Sequence, residues 1–230
     1  MPKTILITGA SGNLGSVVTK YFLNKGYTVI ATTSSEEGKK DFPASASLQP
    51  EAVDLANEKE TGSFVQRMIE KNTQIDCALL LAGGFTMGNI ADTSSENIRQ
   101  QISLNFETAY HIVRPIYQHM IQKNFGRIIL IGSRPALKSS DGKKMVAYAL
   151  SKSLLFHLAD FINDEAKTKN VTATVIVPST IDTPANRKSM PDAHHENWVR
   201  PESLAATMEF IVSDDAAALR ETVLKVYNNA

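Results

Sequence analysis

With one cysteine, Cys77, in 230 residues, the chain has no internal disulfide and fits a reducing compartment. Cys77 opens an apolar run that ends at Ala82, where a small buried hydrophobe is expected rather than a reactive thiol. Charge of one sign is also lacking. The 24 basic and 24 acidic side chains cancel, so there is no broad positive field of the kind that would hold nucleic acid or an acidic membrane. No stretch approaches the roughly 18 apolar residues of a membrane span. Met1, Pro2 and Lys3 run directly into a strand pattern, without the organisation of a signal peptide. These absences predict a cytoplasmic protein whose partners include no nucleic acid and no membrane.

What remains is ordinary globular composition, 43% hydrophobic and 21% charged, in a length that one α/β domain over residues 1–230 can use. Short β-branched or aliphatic runs recur at residues 4–8, 28–32, 75–81, 127–132, 171–177 and 222–226, with a third strand in chain order placed near 51–54. Between them, apolar residues fall at three- and four-residue spacing, as in Leu14, Val17, Val18, Tyr21 and Phe22, or Phe64, Val65, Met68 and Ile69. Strands alternating with helices imply crossover units and a parallel sheet. Runs such as Ile128-Ile129-Leu130-Ile131 are apolar without alternation, as when helices cover both faces. The expected fold is therefore α/β, a doubly wound Rossmann-type three-layer sandwich with a mostly parallel central sheet. Two segments break the pattern. Residues 34–50 read as an irregular link with a short helix. Residues 179–201, with three prolines and few periodic apolar positions, read as a substrate lid.

Thr8-Gly9-Ala10-Ser11-Gly12-Asn13-Leu14-Gly15 follows the first strand and opens the first helix, the context a dinucleotide-binding turn requires. Gly9 would let the chain turn sharply, Gly12 would let a pyrophosphate approach the backbone, and Gly15 would allow close helix–sheet contact. Ser11, Asn13 and Leu14 complete the turn at the helix N-terminus, where free N–H groups face the phosphates. The acid that would hold the adenosine ribose of NAD(H) is missing. The second strand ends Ala31-Thr32-Thr33-Ser34-Ser35, so hydroxyls, Thr33 among them, stand where a carboxylate would repel a 2′-phosphate. This leans toward NADP(H) over NAD(H), and Lys39 and Lys40 lie near enough in sequence to matter.

Tyr148 and Lys152 are four residues apart on a helix predicted over 145–169, hence one turn apart on one face. Six tyrosines and sixteen lysines would give roughly 0.4 such pairs by chance, so the spacing needs context. Ser133 ends the preceding strand, and Asn105 sits mid-helix before that strand. A phenol is a poor acid/base at neutral pH, and a neighbouring ammonium favours its ionised form. A serine hydroxyl at Ser133 would orient a substrate oxygen and stabilise developing charge on it.

These residues resemble the short-chain dehydrogenase/reductase family over nearly the whole chain, from Thr8 to about Val226. The resemblance implies an NAD(P)-dependent oxidoreductase that moves a hydride between a nicotinamide cofactor and a small carbonyl or alcohol. It implies Ser133, Tyr148 and Lys152 as catalytic, with Asn105 holding a water in a proton relay, and Tyr148 and Lys152 also contacting cofactor. Asp54 and Leu55 match the pair bordering the adenine, Ala82 and Gly83 the segment after the fourth strand, and Pro178, Ile181 and Thr183 the segment holding the nicotinamide end. Helices over 97–122 and 145–169 match those that pair between subunits, implying a homodimer or homotetramer. Asn13 stands where the family usually has glycine, Leu80-Leu81 replaces its usual Asn-Asn, and Pro178-Ser179 its usual Pro-Gly. Ala82-Gly83-Gly84-Phe85 with Gly88-Asn89, and residues 182–191, are similar to dihydropteridine reductases, so an enzyme of that kind is the alternative. A non-catalytic NAD(P)-sensing regulator is a second alternative from another class.

His194 and His195 lack a nearby third ligand, so no metal site is expected. Trp198 either closes over a substrate or anchors the lid to the core, and Arg134 either meets an anionic substrate or takes an ion-pair role.

Overall fold

The computed structural model describes residues 2–229. The elements run β1 (Thr4–Thr8), α1 (Asn13–Asn24), β2 (Thr28–Thr33), β3 (Leu48–Ala52), α2 (Glu58–Asn72), β4 (Cys77–Leu80), α3 (Ser95–Ile102), α4 (Thr108–Lys123), β5 (Gly126–Ile131), α5 (Arg134–Leu137), α6 (Ser139–Gly142), α7 (Val146–Glu165), β6 (Val171–Pro178), α8 (Pro184–Ser189), α9 (Pro201–Val212) and β7 (Val223–Val226).

The strands form one seven-stranded sheet in the order β3-β2-β1-β4-β5-β6-β7, and every pairing is parallel. The doubly wound expectation holds, with a wholly parallel sheet. Strand residues alternate between two cores. Leu6, Ile30, Ala78, Leu80 and Ile128 face Phe64 of α2, Ile112 and Ile116 of α4 and Leu155 of α7. Ile5, Ile7, Val29, Leu79 and Ile129 face Val18 and Phe22 of α1 and Met208 and Ile211 of α9. That division explains why the strands read as unbroken apolar runs. Phe22 and Phe64 are fully buried, one in each core, and truncating either to alanine would cost on the order of 3–5 kcal/mol.

Three boundaries differ from expectation. β3 lies at residues 48–52 rather than 51–54, because Pro50 is tolerated on an edge strand, paired on one side only. The helix expected over 97–122 is a helical path interrupted at Ser103–Glu107 by a wider π-helical turn. The helix expected over 145–169 ends at Glu165.

The strand order reverses between β1 and β4, and in open parallel sheets the crevice beyond the carboxyl ends at such a point is where ligands bind. The segment over 179–201 starts beyond the same edge. Its two ends are stitched together by Val199 N–H to the Thr180 carbonyl (2.9 Å) and Asp182 N–H to the Val199 carbonyl (2.8 Å), and α8 lies within it.

Candidate active site

Gly9 has φ +62, a conformation that favours glycine, and a Cβ there would lie 3.0 Å from the Ala82 backbone. A Cβ on Gly15 would lie 2.1 Å from the Gly9 carbonyl oxygen, so the third glycine is what lets α1 press against the turn. Gly12 is the N-cap of α1 and supplies no side-chain cap, whereas Asn57 caps α2 by accepting from Glu60 N–H. The first turn of α1 thus keeps its N–H groups for something outside the helix. Beside it opens a cleft of about 600 Å³ lined by Gly9, Ser11, Gly12, Asn13, Leu14, Thr33, Asp54, Leu55, Ala82 and Gly83 among others. A glycine cradle, uncapped helix N-terminus and cleft of this size fit a dinucleotide.

At the far end of β2, the Ser11 hydroxyl lies 3.3 Å from the Thr33 hydroxyl. Thr33 is buried while Ser34, also in the cleft wall, is exposed. Lys39 and Lys40 are engaged by Glu36 and Glu37 at 3.0 and 2.7 Å. Asp54 accepts from the Ala56 N–H at 3.0 Å, an Asx turn that fixes the cleft rim.

Beyond the inner end of the cleft the polar groups gather. Ser133 follows β5 in extended conformation, and its buried hydroxyl has no hydrogen-bond partner among the described residues. Lys152, one turn after Tyr148 on α7, is 6% exposed and donates to the Ile131 carbonyl at 2.8 Å. Burial pulls its pKa down to about 8. Burial likewise pushes the Tyr148 phenol above its ordinary value. The Ser133 hydroxyl opposes that push but falls short of hydrogen-bond geometry, so burial wins. Lys152 is not among the groups that shift the phenol, and its ammonium is directed at the Ile131 carbonyl.

Asn105 lies in the π-helical turn and is buried. Its Oδ1 accepts from Gly84 N–H at 3.0 Å, and its Nδ2 donates to Gln101 Oε1 at 3.1 Å and Ser151 Oγ at 3.2 Å. A Cβ on Gly83 would lie 2.6 Å from Asn105 Oδ1 and 3.3 Å from Lys152 Nζ. The cleft wall therefore joins the cluster directly.

Residues 3–194 match the family model described as short chain dehydrogenase. The chain belongs to the short-chain dehydrogenase family. It is 27% identical over 229 residues to a dihydropteridine reductase of Dictyostelium discoideum, covering 98% of this chain and 94% of that protein. It is 25% identical to an acetoacetyl-CoA reductase of Acinetobacter sp. (strain RA3849), covering 97% of this chain and 96% of that one. Among solved structures, ElxO with NADP bound superposes with a TM-score of 0.90 at 20% identity, covering 98% of this chain and 97% of that chain. The short-chain dehydrogenase assignment makes this protein an NAD(P)-dependent oxidoreductase.

Against that family, Asn105, Ser133, Tyr148 and Lys152 come from the π-helical turn, the end of β5 and the start of α7. Pro178 ends β6, Ile181 bridges to Val199, and Thr183 caps α8 by accepting from Asn186 N–H at 3.2 Å. Thr183 shares a hollow with Asn13 of α1, so this segment does return to the phosphate turn. Arg134 is held by Asp141 at 3.1 Å, the ion-pair alternative. Trp198 is buried and anchors its loop. His194 pairs with Glu196 at 3.0 Å, and His195 with the Met190 carbonyl at 2.9 Å. No helix of the described residues is long and apolar enough to cross a membrane.

Sequence reasoning missed Gln101 and Ser151, and noted Gly84 and Phe85 only within a dihydropteridine-reductase-like segment without giving them a place in the site. Phe85 stands edge-on to the Tyr148 ring, centroids 5.0 Å apart, while itself exposed. Gln101 carried a signal, four residues before Asn105 and so on the same helix face.

Proposed function

We propose that this enzyme reduces a small carbonyl compound with NADPH, with Tyr148 as general acid and Ser133, Lys152 and Asn105 around it. The observation that carries the reading is the buried Ser133 hydroxyl, without a partner among the described residues, beside the half-buried Tyr148 phenol, since a buried polar group left unpaired is costly and here faces the place a substrate oxygen would take. Ser133 binds that oxygen and orients it toward the Tyr148 hydroxyl. Tyr148, whose phenol is pushed above its ordinary value by burial, donates its proton to the oxygen as the carbonyl carbon accepts hydride. Lys152 supplies positive charge beside the phenolate left behind, and Asn105 holds the route by which the proton is replaced. Gly9, Ser11, Gly12, Asn13, Leu14, Thr33, Asp54, Leu55, Ala82, Gly83, Pro178, Ile181 and Thr183 would hold the dinucleotide, which would supply the hydride when bound.

Hydroxyls without a carboxylate at the end of β2 favour NADPH over NADH, which supports the reductive direction. The loop over 179–201 acts as substrate lid. Tyr110 of α4 with Leu150 and Phe161 of α7 are exposed, which supports pairing of these helices in a homodimer or homotetramer. Tyr148→Phe tests the assignment: turnover is lost while NADPH binding survives, and retained turnover removes Tyr148 as acid.

A second reading, reduction of a quinonoid dihydropterin, is favoured by the dihydropteridine reductase relative over 98% of this chain. Cofactor oxidation with that pterin at a rate matching simple carbonyls supports it, and its absence ends it.

A further inference from the structure

The amide of Asn105 is held at three points, one of them by a group that can only donate. Gly84 offers a peptide N–H, which only donates, so the amide end facing it must be Oδ1. Ser151 is fully buried and gives its hydroxyl proton to the Tyr148 carbonyl at 2.8 Å. With that proton committed, Ser151 Oγ can only accept, and the amide end facing it must be Nδ2, 3.2 Å away. Gln101 presents its oxygen to the second Nδ2 proton at 3.1 Å and is also buried. A flipped Asn105 would meet a donor with a donor at Gly84, and would be matched elsewhere only if Ser151 gave up its bond to the Tyr148 carbonyl and Gln101 turned its own amide.

Gly84 thereby sets the direction of the hydrogen bonds that run from Gln101 of α3 through Asn105 to Ser151 in the first turns of α7. The same amide touches the cofactor side, because Gly83 has no room for a Cβ between Asn105 and Lys152. We propose that Ser151 and Gln101 are positioning residues for proton transfer: acting through Asn105, they lock the π-helical turn, the Gly83-Gly84 wall and the Tyr148–Lys152 turn in one register. Neither touches the reacting atoms. The inference rests on Tyr148 being the acid.

Ser151→Val and Ser151→Thr have equal bulk and differ in the hydroxyl, so both distort packing alike while only threonine keeps the relay. Relative to Ser151→Thr, Ser151→Val is expected to lose about 10- to 100-fold in kcat with KM and NADPH affinity unchanged. Its solvent deuterium isotope effect on kcat should rise as proton transfer becomes slower than hydride transfer. Gln101→Leu, which removes only the acceptor, should move kcat and the isotope effect the same way. Equal kcat and isotope effect in the valine and threonine variants would overturn the proposal, as would a loss in Gln101→Leu confined to NADPH binding and melting temperature. If Tyr148→Phe keeps full turnover, it is the assignment of the acid that fails. If Tyr148→Phe is inactive while Ser151→Val matches Ser151→Thr, only the positioning role fails.

Discussion

Lys152 and Ile131 are joined by a buried hydrogen bond, ammonium to backbone carbonyl, at 2.8 Å, and this bond sets where the Lys152 charge sits. A carbonyl at the end of β5 tolerates the ammonium but supplies no countercharge, so the group lies at about 8 instead of its ordinary 10.5. A buried cation paired only with a dipole is a stability cost, and the proposed role of Lys152 in proton transfer accounts for its being kept.

That cost has a sign that pH reveals. The folded value lies below the unfolded one, so between about 8 and 10.5 the unfolded chain binds the extra proton and stability from this group rises with pH. Lys152→Met should therefore be inactive yet more stable than the parent at pH 7 by about 1–3 kcal/mol, the order of a shift of this size. Its advantage should shrink as pH approaches 10. Urea midpoints for both proteins at pH 7 and 10 check this; a destabilised methionine variant at pH 7 would mean the Ile131 bond outweighs desolvation. In the parent, kcat/KM for NADPH, which reports the free enzyme, should fall as pH rises through about 8.

Gly15 and Gly12 separate fold from binding within one turn. A methyl on Gly15 would meet backbone at 2.1 Å, which has nowhere to go, so Gly15→Ala should lose about 3 kcal/mol of stability. On Gly12 the nearest atom would be at 3.2 Å, so Gly12→Ala should fold normally while NADPH affinity drops about 10-fold or more, its methyl standing where phosphate approaches. Unfolding curves and cofactor titrations on both variants distinguish these outcomes, and similar behaviour of the two would refute the division of labour.

Ser34 offers the sharpest test of cofactor choice. Thr33 is buried against Ser11, leaving Ser34 as the exposed hydroxyl that follows β2 in the cleft wall. An aspartate there would repel a 2′-phosphate and could accept from ribose hydroxyls. Ser34→Asp should weaken NADPH by about 10-fold or more, a penalty of at least ~1.4 kcal/mol, with NADH unchanged or tighter. Parallel loss of both cofactors would mean the residue does not face the 2′ position.

Much of this was legible in the chain. Ile128 to Ile131 announced a strand covered on both faces, and Gly9, Gly12 and Gly15 announced their turn through spacing and placement. The misses have physical causes. Pro50 reads as a breaker unless one knows that β3 is an edge strand. The π-helical turn is silent, because one wider turn leaves the apolar spacing of α3 and α4 nearly intact. Ser151 looks like an ordinary helical serine until tertiary packing buries it against Asn105. The aim of Lys152 depends on Ile131, 21 residues away, and no local pattern encodes that.

Asn228 ties the proposed lid to the end of the sheet. Its side-chain amide donates to the Trp198 carbonyl at 3.0 Å and lies 3.4 Å from the Glu196 carbonyl, while Ser179, where the loop departs, donates to the Tyr227 carbonyl at 2.7 Å. The loop is thus held at its exit by Ser179 and near its return by Asn228, with buried Trp198 between. Asn228→Ala removes one anchor without touching the cofactor cleft. A hydrogen bond contributes about 0.5–1.5 kcal/mol net, so loop ordering should be weakened by roughly 3- to 10-fold. The expected signature is faster limited proteolysis within residues 185–197 and a higher substrate KM, with NADPH affinity unaltered. Faster cleavage with unchanged KM would show that the loop is anchored by Asn228 but does not cover the substrate. An unchanged cleavage rate would show that Trp198 alone is anchor enough, since its burial then holds the loop after the amide is gone.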